Sequence, residues 1–276
     1  MKIKAIRLFV YITLTVAFAA TQLIGQAVTK PTATPGRPPM KNSLDKGDFK
    51  VGFSPVTKAR TPKKEMPKDE KETLQEVAVA LNSLIALPHD VYLNLDTCGE
   101  PNAFYNPETS EITMCYEYLD DFETSFKTIT KVQAKVDDMV SDAFIQVLFH
   151  ELGHCLIDVW DLPATGREED AVDQLAMILM LDGSPEGQQS AFNASLLWEI
   201  ASRSEKRADM LFWDEHSFSK TRFFDMICLV YGSNPEKNAG MVGPNKLPVE
   251  RAERCETEYK RAERAWLRLI EPYIIK

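Results

Sequence analysis

The chain has 276 residues, 44% hydrophobic and 26% charged, a balance that excludes a collagen-like or wholly disordered protein and predicts one or two compact domains. Its 41 acidic against 32 basic side chains leave a net charge of -9, which excludes a surface built to track nucleic acid. With only 4 histidines in the chain, a histidine pair at a meaningful spacing stands out.

Lys2, Lys4 and Arg7 precede an apolar stretch from Leu8 to Ala20. Small residues then offer cleavage sites ending at Ala19 or at Ala27, so residues 1–27 read as an export signal. Extended to Gly25, residues 8–25 make a marginal membrane anchor instead. Either reading puts the bulk of the chain in the periplasm or outside the cell, and it meets a membrane only where the segment is uncleaved. Cleavage after Ala27 removes three cationic side chains and takes the net charge to about -12. Residues 28–47 carry Pro31, Pro35, Pro38 and Pro39 with almost nothing apolar to bury, which predicts a flexible tether ahead of a domain at 48–276.

The five cysteines suit an oxidising compartment. Cys98 and Cys115 flank a short loop with turn chemistry at Asn106-Pro107. Cys228 and Cys255 flank another that contains Gly232, Pro235, Gly240 and Gly243. This spacing predicts the disulfides Cys98–Cys115 and Cys228–Cys255 and leaves Cys155, inside an apolar helical pattern, as a small buried thiol.

Phe49 to Phe53 alternates apolar and polar residues as a half-buried strand does. After a Pro/Lys-rich stretch at 61–68, Leu74, Val77, Leu81, Leu84 and Ile85 recur at helical spacing, closed by Pro88. Val91, Leu93 and Leu95 alternate in a second strand, and Ile112, Met114, Tyr116 and Tyr118 in another. Beyond Asp121 the pattern is helical: a polar helix around 122–136, a longer one from Asp138 to Trp160, one from Gly166 to Leu181, and three more. The last runs from Val249 to Ile270, with its Arg/Glu run on a solvated face. The fold class is therefore α+β, with a small sheet followed by a mainly helical part.

Inside the long helical pattern lies His150-Glu151-Leu152-Gly153-His154, the string H-E-x-x-H. Residues four apart on a helix lie about 40° apart on one face and about 6 Å along the axis, so both imidazoles can reach one ion. In this arrangement Glu151 reaches water at the metal rather than the metal itself. A chain of this composition produces the string by accident on the order of once in 200, so the context decides. Phe144, Val147, Leu148, Leu152, Cys155, Leu156 and Val159 supply the apolar face that a buried helix needs. A catalytic zinc also needs a third protein ligand. Thr165 and Glu168 fit a capping box that starts the next helix, which frees Glu169 as that ligand, with Glu168 as the alternative. Glu169 and Asp173 lie four apart on the inward face. A buried carboxylate pair is costly without a cation, so Asp173 is expected to accept a ligand imidazole N–H. His89, beside Pro88 in a turn, reads as a surface residue.

H-E-x-x-H with a downstream E-x-x-x-D resembles the gluzincin, thermolysin-like branch of zinc metallopeptidases. The fuller string HELGHCLIDVWDLPATGREEDAVDQLA is flanked by CG-x-x-NAFYNP and ITMCYEY before it and WDEHSFSKTRFFDMICLVYGSNP after it. Together these resemble a bacterial zinc metallopeptidase family of unknown function over about residues 48–260. The resemblance implies a zincin-like fold: a small mixed sheet with a backing helix, the H-E-x-x-H helix beneath it, and an edge strand along the cleft, here Ile112 to Tyr118, able to take an extended peptide by strand addition. It also makes His216 a candidate hydrogen-bond donor to a tetrahedral oxyanion. Cys155 departs from the small apolar residue expected at its position.

The reading that follows is a zinc-dependent peptidase. One Zn(II) on His150, His154 and Glu169 activates water, Glu151 is the general base, His216 steadies the oxyanion, and the partner is a peptide or protein substrate. The alternative is an exported, non-catalytic metal-binding or scaffold protein of zincin fold. A small-molecule amide hydrolase would use the same chemistry.

Overall fold

In the computed structural model, which describes residues 44–60, 68–206, 208, 210–244 and 246–275, the chain builds one mixed four-stranded sheet and then a largely helical second half. The export segment expected at 1–27, and all but the end of the tether expected at 28–47, lie outside the described residues.

The strands β1 (Phe49–Val51), β2 (Val91–Asp96), β3 (Ala103–Asn106) and β4 (Glu111–Cys115) lie in the order β1-β2-β4-β3. β1 and β4 both run parallel to β2, and β3 pairs antiparallel with β4. Helices α1 (Pro55–Arg60) and α2 (Lys68–Asn82) connect β1 to β2. Asn82 at the end of α2 clamps β1, because its Oδ1 accepts the Phe49 N–H at 2.6 Å while its Nδ2 donates to the Phe49 carbonyl at 3.0 Å. Val91, Leu93, Asn94 and Leu95 are all buried, with Tyr92 and Asp96 partly exposed.

Two sequence expectations are corrected in this layer. The strand expected from Ile112 to Tyr118 stops at Cys115, and it is an interior strand, paired on both sides and buried along its whole length. Tyr116 opens helix α3 (Tyr116–Phe126), because Leu119, Phe122 and Phe126 recur at three and four and bury a helical face there. The edge strand beyond β4 is β3, whose four residues are too few to show a period. The polar helix expected at 122–136 is accordingly divided between α3 and the start of α4 (Gln133–Trp160), with the β-branched run Thr128-Ile129-Thr130 between them.

α4 is 28 residues long and passes through the core, where Phe144, Leu148, Phe149 and Leu152 are all but inaccessible. It ends at Asp161, whose φ of 49° turns the chain in the left-handed region. α5 (Glu168–Met180), α6 (Pro185–Ser202), α7 (Ser219–Ser233) and α8 (Val249–Ile270) complete the helical layer. A Cβ on Gly232 would stand 2.2 Å from the Cys255 carbonyl oxygen, so glycine is what lets α7 and α8 touch beside their disulfide.

Both disulfides are formed: Cys98–Cys115 joins the start of the β2–β3 loop to the end of β4, and Cys228–Cys255 joins α7 to α8. Cys155 is free and buried. The two bridges fit an exported protein. Among the described residues no helix is long and apolar enough to cross a membrane.

Each disulfide restricts the unfolded chain, and closing 27 residues between Cys228 and Cys255 is worth about 3 kcal/mol. Replacing both cysteines by serine should therefore lower the unfolding free energy by about that amount, read from the urea midpoint; an unchanged midpoint would show that the bridge does not hold α7 to α8.

Candidate metal centre

The helical spacing in α4 puts His150 and His154 on one face with ring centroids 5.0 Å apart, and buries Glu151 beside them. The other half of the site comes from the first two turns of α5. It can approach because position 153 is glycine: a Cβ there would lie 2.7 Å from the Val172 Cβ. Without that side chain the two helices cross close enough for Glu169 to reach both imidazoles.

His150 Nε2 lies 3.1 Å from Glu169 Oε2, and His154 Nε2 lies 3.3 Å from Oε1 of the same carboxylate. A third imidazole arrives from the loop between α6 and α7, with His216 Nε2 at 3.1 Å from Glu169 Oε2. His150, Glu169 and His216 each offer a donor atom within 4.8 Å of the others. The far side of each ring is held the same way. Asp173 Oδ1 lies 2.7 Å from His150 Nδ1, Glu168 Oε1 lies 2.7 Å from His154 Nδ1, and Asp214 Oδ1 lies 3.1 Å from His216 Nδ1.

This construction decides whether a cation fits. A neutral imidazole that donates its Nδ1–H to a carboxylate has only a lone pair left on Nε2. Here three such nitrogens face one carboxylate, and the buried Glu169 Oε2 finds no hydrogen bond of good geometry despite two nitrogens at 3.1 Å. Lone pairs converge in this way on a cation. The separation of each imidazole from Glu169 agrees, since four donors placed tetrahedrally at about 2.0–2.1 Å from zinc stand about 3.3 Å apart; the group whose donors all lie within 4.8 Å of one another is His150, Glu169 and His216, without His154.

Without a cation the site must hold protons instead. Burial lowers the His154 pKa, but the Glu169 and Glu168 carboxylates outweigh it and raise it to about 9. Burial likewise pushes Glu169 up, yet the surrounding imidazoles hold it far below the carboxylate range. Glu151 is raised, chiefly by burial, toward the range useful to a general base, and a backbone hydrogen bond from Tyr105 on β3 partly opposes that shift. The unpaired edge of β3 thus borders the site, and the Tyr105 hydroxyl fixes it there by donating to Asp158 of α4 at 2.7 Å.

The capping box expected from Thr165 and Glu168 is not formed. The residue ahead of α5 is Arg167, which makes no side-chain cap, and Glu168 turns instead to His154. The reason is that an imidazole N–H is a better-placed partner for Glu168 than its own helix amides, and a carboxylate in the first turn already suits the helix dipole. Arg222 of α7 was not singled out in the sequence, where an arginine among Ser219, Lys220 and Thr221 reads as surface. It is buried, donates through Nε and Nη2 to both Asp173 oxygens at 2.7 Å, and lies flat on Trp198 with its guanidinium carbon 3.4 Å from the ring centroid. Burial raises the Asp173 pKa, but Arg222 and His150 bring it down to about 2. His89 is exposed beside Ser110 and takes no part.

This chain belongs to the family described as "DUF4344: Putative metallopeptidase". The match covers residues 53–270, and so takes in β2 to β4, the H-E-x-x-H helix, α5 and the whole helical layer to the end of α8. No curated protein and no solved structure matches the chain. Family membership accounts for a metal-binding cluster of histidine and glutamate next to a buried carboxylate, and makes a peptide or protein the expected substrate.

Two tests address this cluster. Arg222→Leu would take from the buried Asp173 its permanent cation and leave it only His150, so the variant should lose roughly 3 kcal/mol of unfolding free energy in urea, and Arg222→Leu with Asp173→Leu should recover part of it; an additive double variant would show that the pair is not coupled. Without metal, His154 carries a pKa raised from 6.5 to about 9, so its contribution to stability is complete below pH 6.5 and lost as pH rises through 9. The melting temperature in chelator should fall across that window; a flat profile would remove the protonated form.

Proposed function

We propose that this protein is a zinc-dependent peptidase in which Glu151 is the general base. The observation that carries the reading is the convergence of three imidazole Nε2 atoms on the Glu169 carboxylate, with the Glu151 carboxylate buried alongside and reached by a backbone hydrogen bond from Tyr105. His150, His154 and Glu169 would hold the ion. When bound, zinc supplies Lewis acidity, which polarises a substrate carbonyl and makes a water acidic enough to lose a proton near pH 7.

The chain's own groups supply the rest. Glu151 takes the proton of the attacking water and passes it to the departing amine. Burial raises its pKa above the usual carboxylate value, which makes it a stronger base than an exposed glutamate. His216 Nε2 faces the same space from the opposite element, where the doubly protonated ring, which the Glu169 carboxylate favours, can donate to the oxygen that gains charge. Asp173 and Glu168 keep the two α4 imidazoles in the tautomer with Nε2 bare. The free edge of β3 gives an extended peptide a line of backbone donors and acceptors leading to Glu151, and specificity would then come from what the flanking loops offer to alternate side chains. An export route through residues 1–27 is consistent with the two disulfides.

The non-catalytic scaffold reading leaves Glu151 without a task, because a purely structural zinc needs no base. Zinc content and peptide hydrolysis should be measured side by side in the wild type, Glu151→Gln and Glu169→Ala. We expect about one zinc per chain in the first two, turnover lost by several orders of magnitude in Glu151→Gln, and both zinc and turnover lost in Glu169→Ala. Zinc loss in Glu151→Gln, or full activity in it, would overturn the role given to Glu151.

A further inference from the structure

His216 repeats the construction of the two α4 histidines. Its Nδ1 is held by a carboxylate, Asp214, which also accepts the backbone N–H of residue 216 at 2.8 Å and so fixes both the ring and its loop. Its Nε2 stands 3.1 Å from Glu169 Oε2, the same separation as His150 Nε2 and a shorter one than His154 Nε2. The loop is tied to the ligand-bearing helix, since Ser217 Oγ donates to Asp170 Oδ1 at 2.7 Å, one residue beyond Glu169. An oxyanion donor needs to stand off from the metal by the width of the substrate oxygen. A ligand needs to stand off from the other ligands by about 3.3 Å, the edge of a tetrahedral zinc shell, and His216 Nε2 stands close to that from Glu169 Oε2, in one group with His150 whose donor atoms lie within 4.8 Å of one another.

We propose that His216 is the fourth protein donor to the metal in the substrate-free enzyme, so that the resting site is closed and the incoming substrate displaces His216. This rests on the peptidase reading above and adds a regulated state to it. His216 differs from the α4 pair in the ways that make a ligand replaceable. Its side chain is 47% exposed against 6% for His150 and 18% for His154, and it sits on a loop rather than on a buried helix. Its carboxylate partner is also more distant, at 3.1 Å rather than 2.7 Å. The ligand role needs a bare Nε2 and the oxyanion role a protonated one, so the second becomes available only once the first is given up and the exposed ring has taken a proton from solvent. In the closed state no position is left for water beside Glu151, which would protect an exported hydrolase from spending its activity on whatever peptide passes.

The test compares wild type, His216→Ala and Asp214→Asn by zinc affinity, from competition with a chromophoric chelator, and by the visible absorption of the cobalt(II)-substituted proteins. We expect His216→Ala to weaken zinc binding roughly 100-fold and Asp214→Asn about tenfold, the range found when groups supporting a metal are removed. The cobalt bands of His216→Ala should lose intensity as water replaces nitrogen and the coordination number rises, and free imidazole should restore them. Acetohydroxamate, a small metal chelator, should convert the wild-type spectrum toward that of the variant. Zinc affinity and cobalt spectrum unchanged in His216→Ala, with the melting temperature also unchanged, would overturn the ligand role while leaving the peptidase reading intact. A wild-type spectrum that acetohydroxamate does not alter would show a permanently closed site and overturn the displacement. A wild type that binds no zinc would overturn both readings.

Discussion

The crossing of α4 over α5 at Gly153 and Val172 is the constraint on which the site depends. With a Cβ at position 153 the helices would have to part, because the atoms it would meet belong to a β-branched side chain and to the backbone behind it, not to a flexible tip. The consequence is local and large. The first two turns of α5 carry Glu168, Glu169, Asp170 and Asp173, and each makes a different connection: to His154, to all three imidazoles, to Ser217, and to His150 with Arg222. Moving α5 outward by an ångström would stretch every one of them. The glycine in the middle of the H-E-x-x-H string thus serves packing, while its neighbours serve chemistry.

Electrostatics explains why so much charge can be placed there. An isolated buried carboxylate would neutralise itself by taking a proton, and α4 and α5 together bury Glu151, Glu169 and Asp173. Asp173 stays charged because Arg222 and His150 share its two oxygens, and Arg222 stays buried because it lies on Trp198 with Asp173 at its edge. Glu169 stays charged through imidazoles and the positive end of its own helix. For Glu151 burial outweighs what His150, His154 and the Tyr105 backbone offer. Burial raises its pKa, and that imbalance separates a base from its charged neighbours.

What could be read from the sequence follows the range of the interaction concerned. The H-E-x-x-H spacing is fixed by one helix, the Glu169–Asp173 spacing by one turn of another, and the cysteine pairs by short intervening loops, so each needs only local geometry. The α+β class followed from alternation giving way to helical periodicity. β3 escaped because Ala103, Tyr105 and Asn106 make a weak pattern and the strand exists through its pairing with β4 rather than its own propensity. Ile112 to Tyr118 was read as one strand because Tyr116 and Tyr118 continue a period of two, and only the burial of Leu119, Phe122 and Phe126 together reveals the helix. Arg222 lies 49 residues from Asp173, and nothing local distinguishes a buried arginine on an aromatic face from a solvated one. The capping box failed for the same reason: Glu168 had a distant and better partner.

The helical layer after α5 then acquires a purpose that its composition does not declare. α7 delivers Arg222 to Asp173, and α8 reaches α5 directly, where Trp266 Nε1 donates to the Ala171 carbonyl at 3.1 Å. α7 and α8 are in turn fixed to each other by the Cys228–Cys255 bridge and by the close contact that Gly232 permits. A short helix bearing four acidic residues in two turns would not choose this position by itself, since its charges would be better solvated at the surface. It is held by α4 on one side and by α7 and α8 on the other. The site is therefore positioned as much by the C-terminal helices as by the sheet and the H-E-x-x-H helix, and all of these lie within the family match, which runs to residue 270.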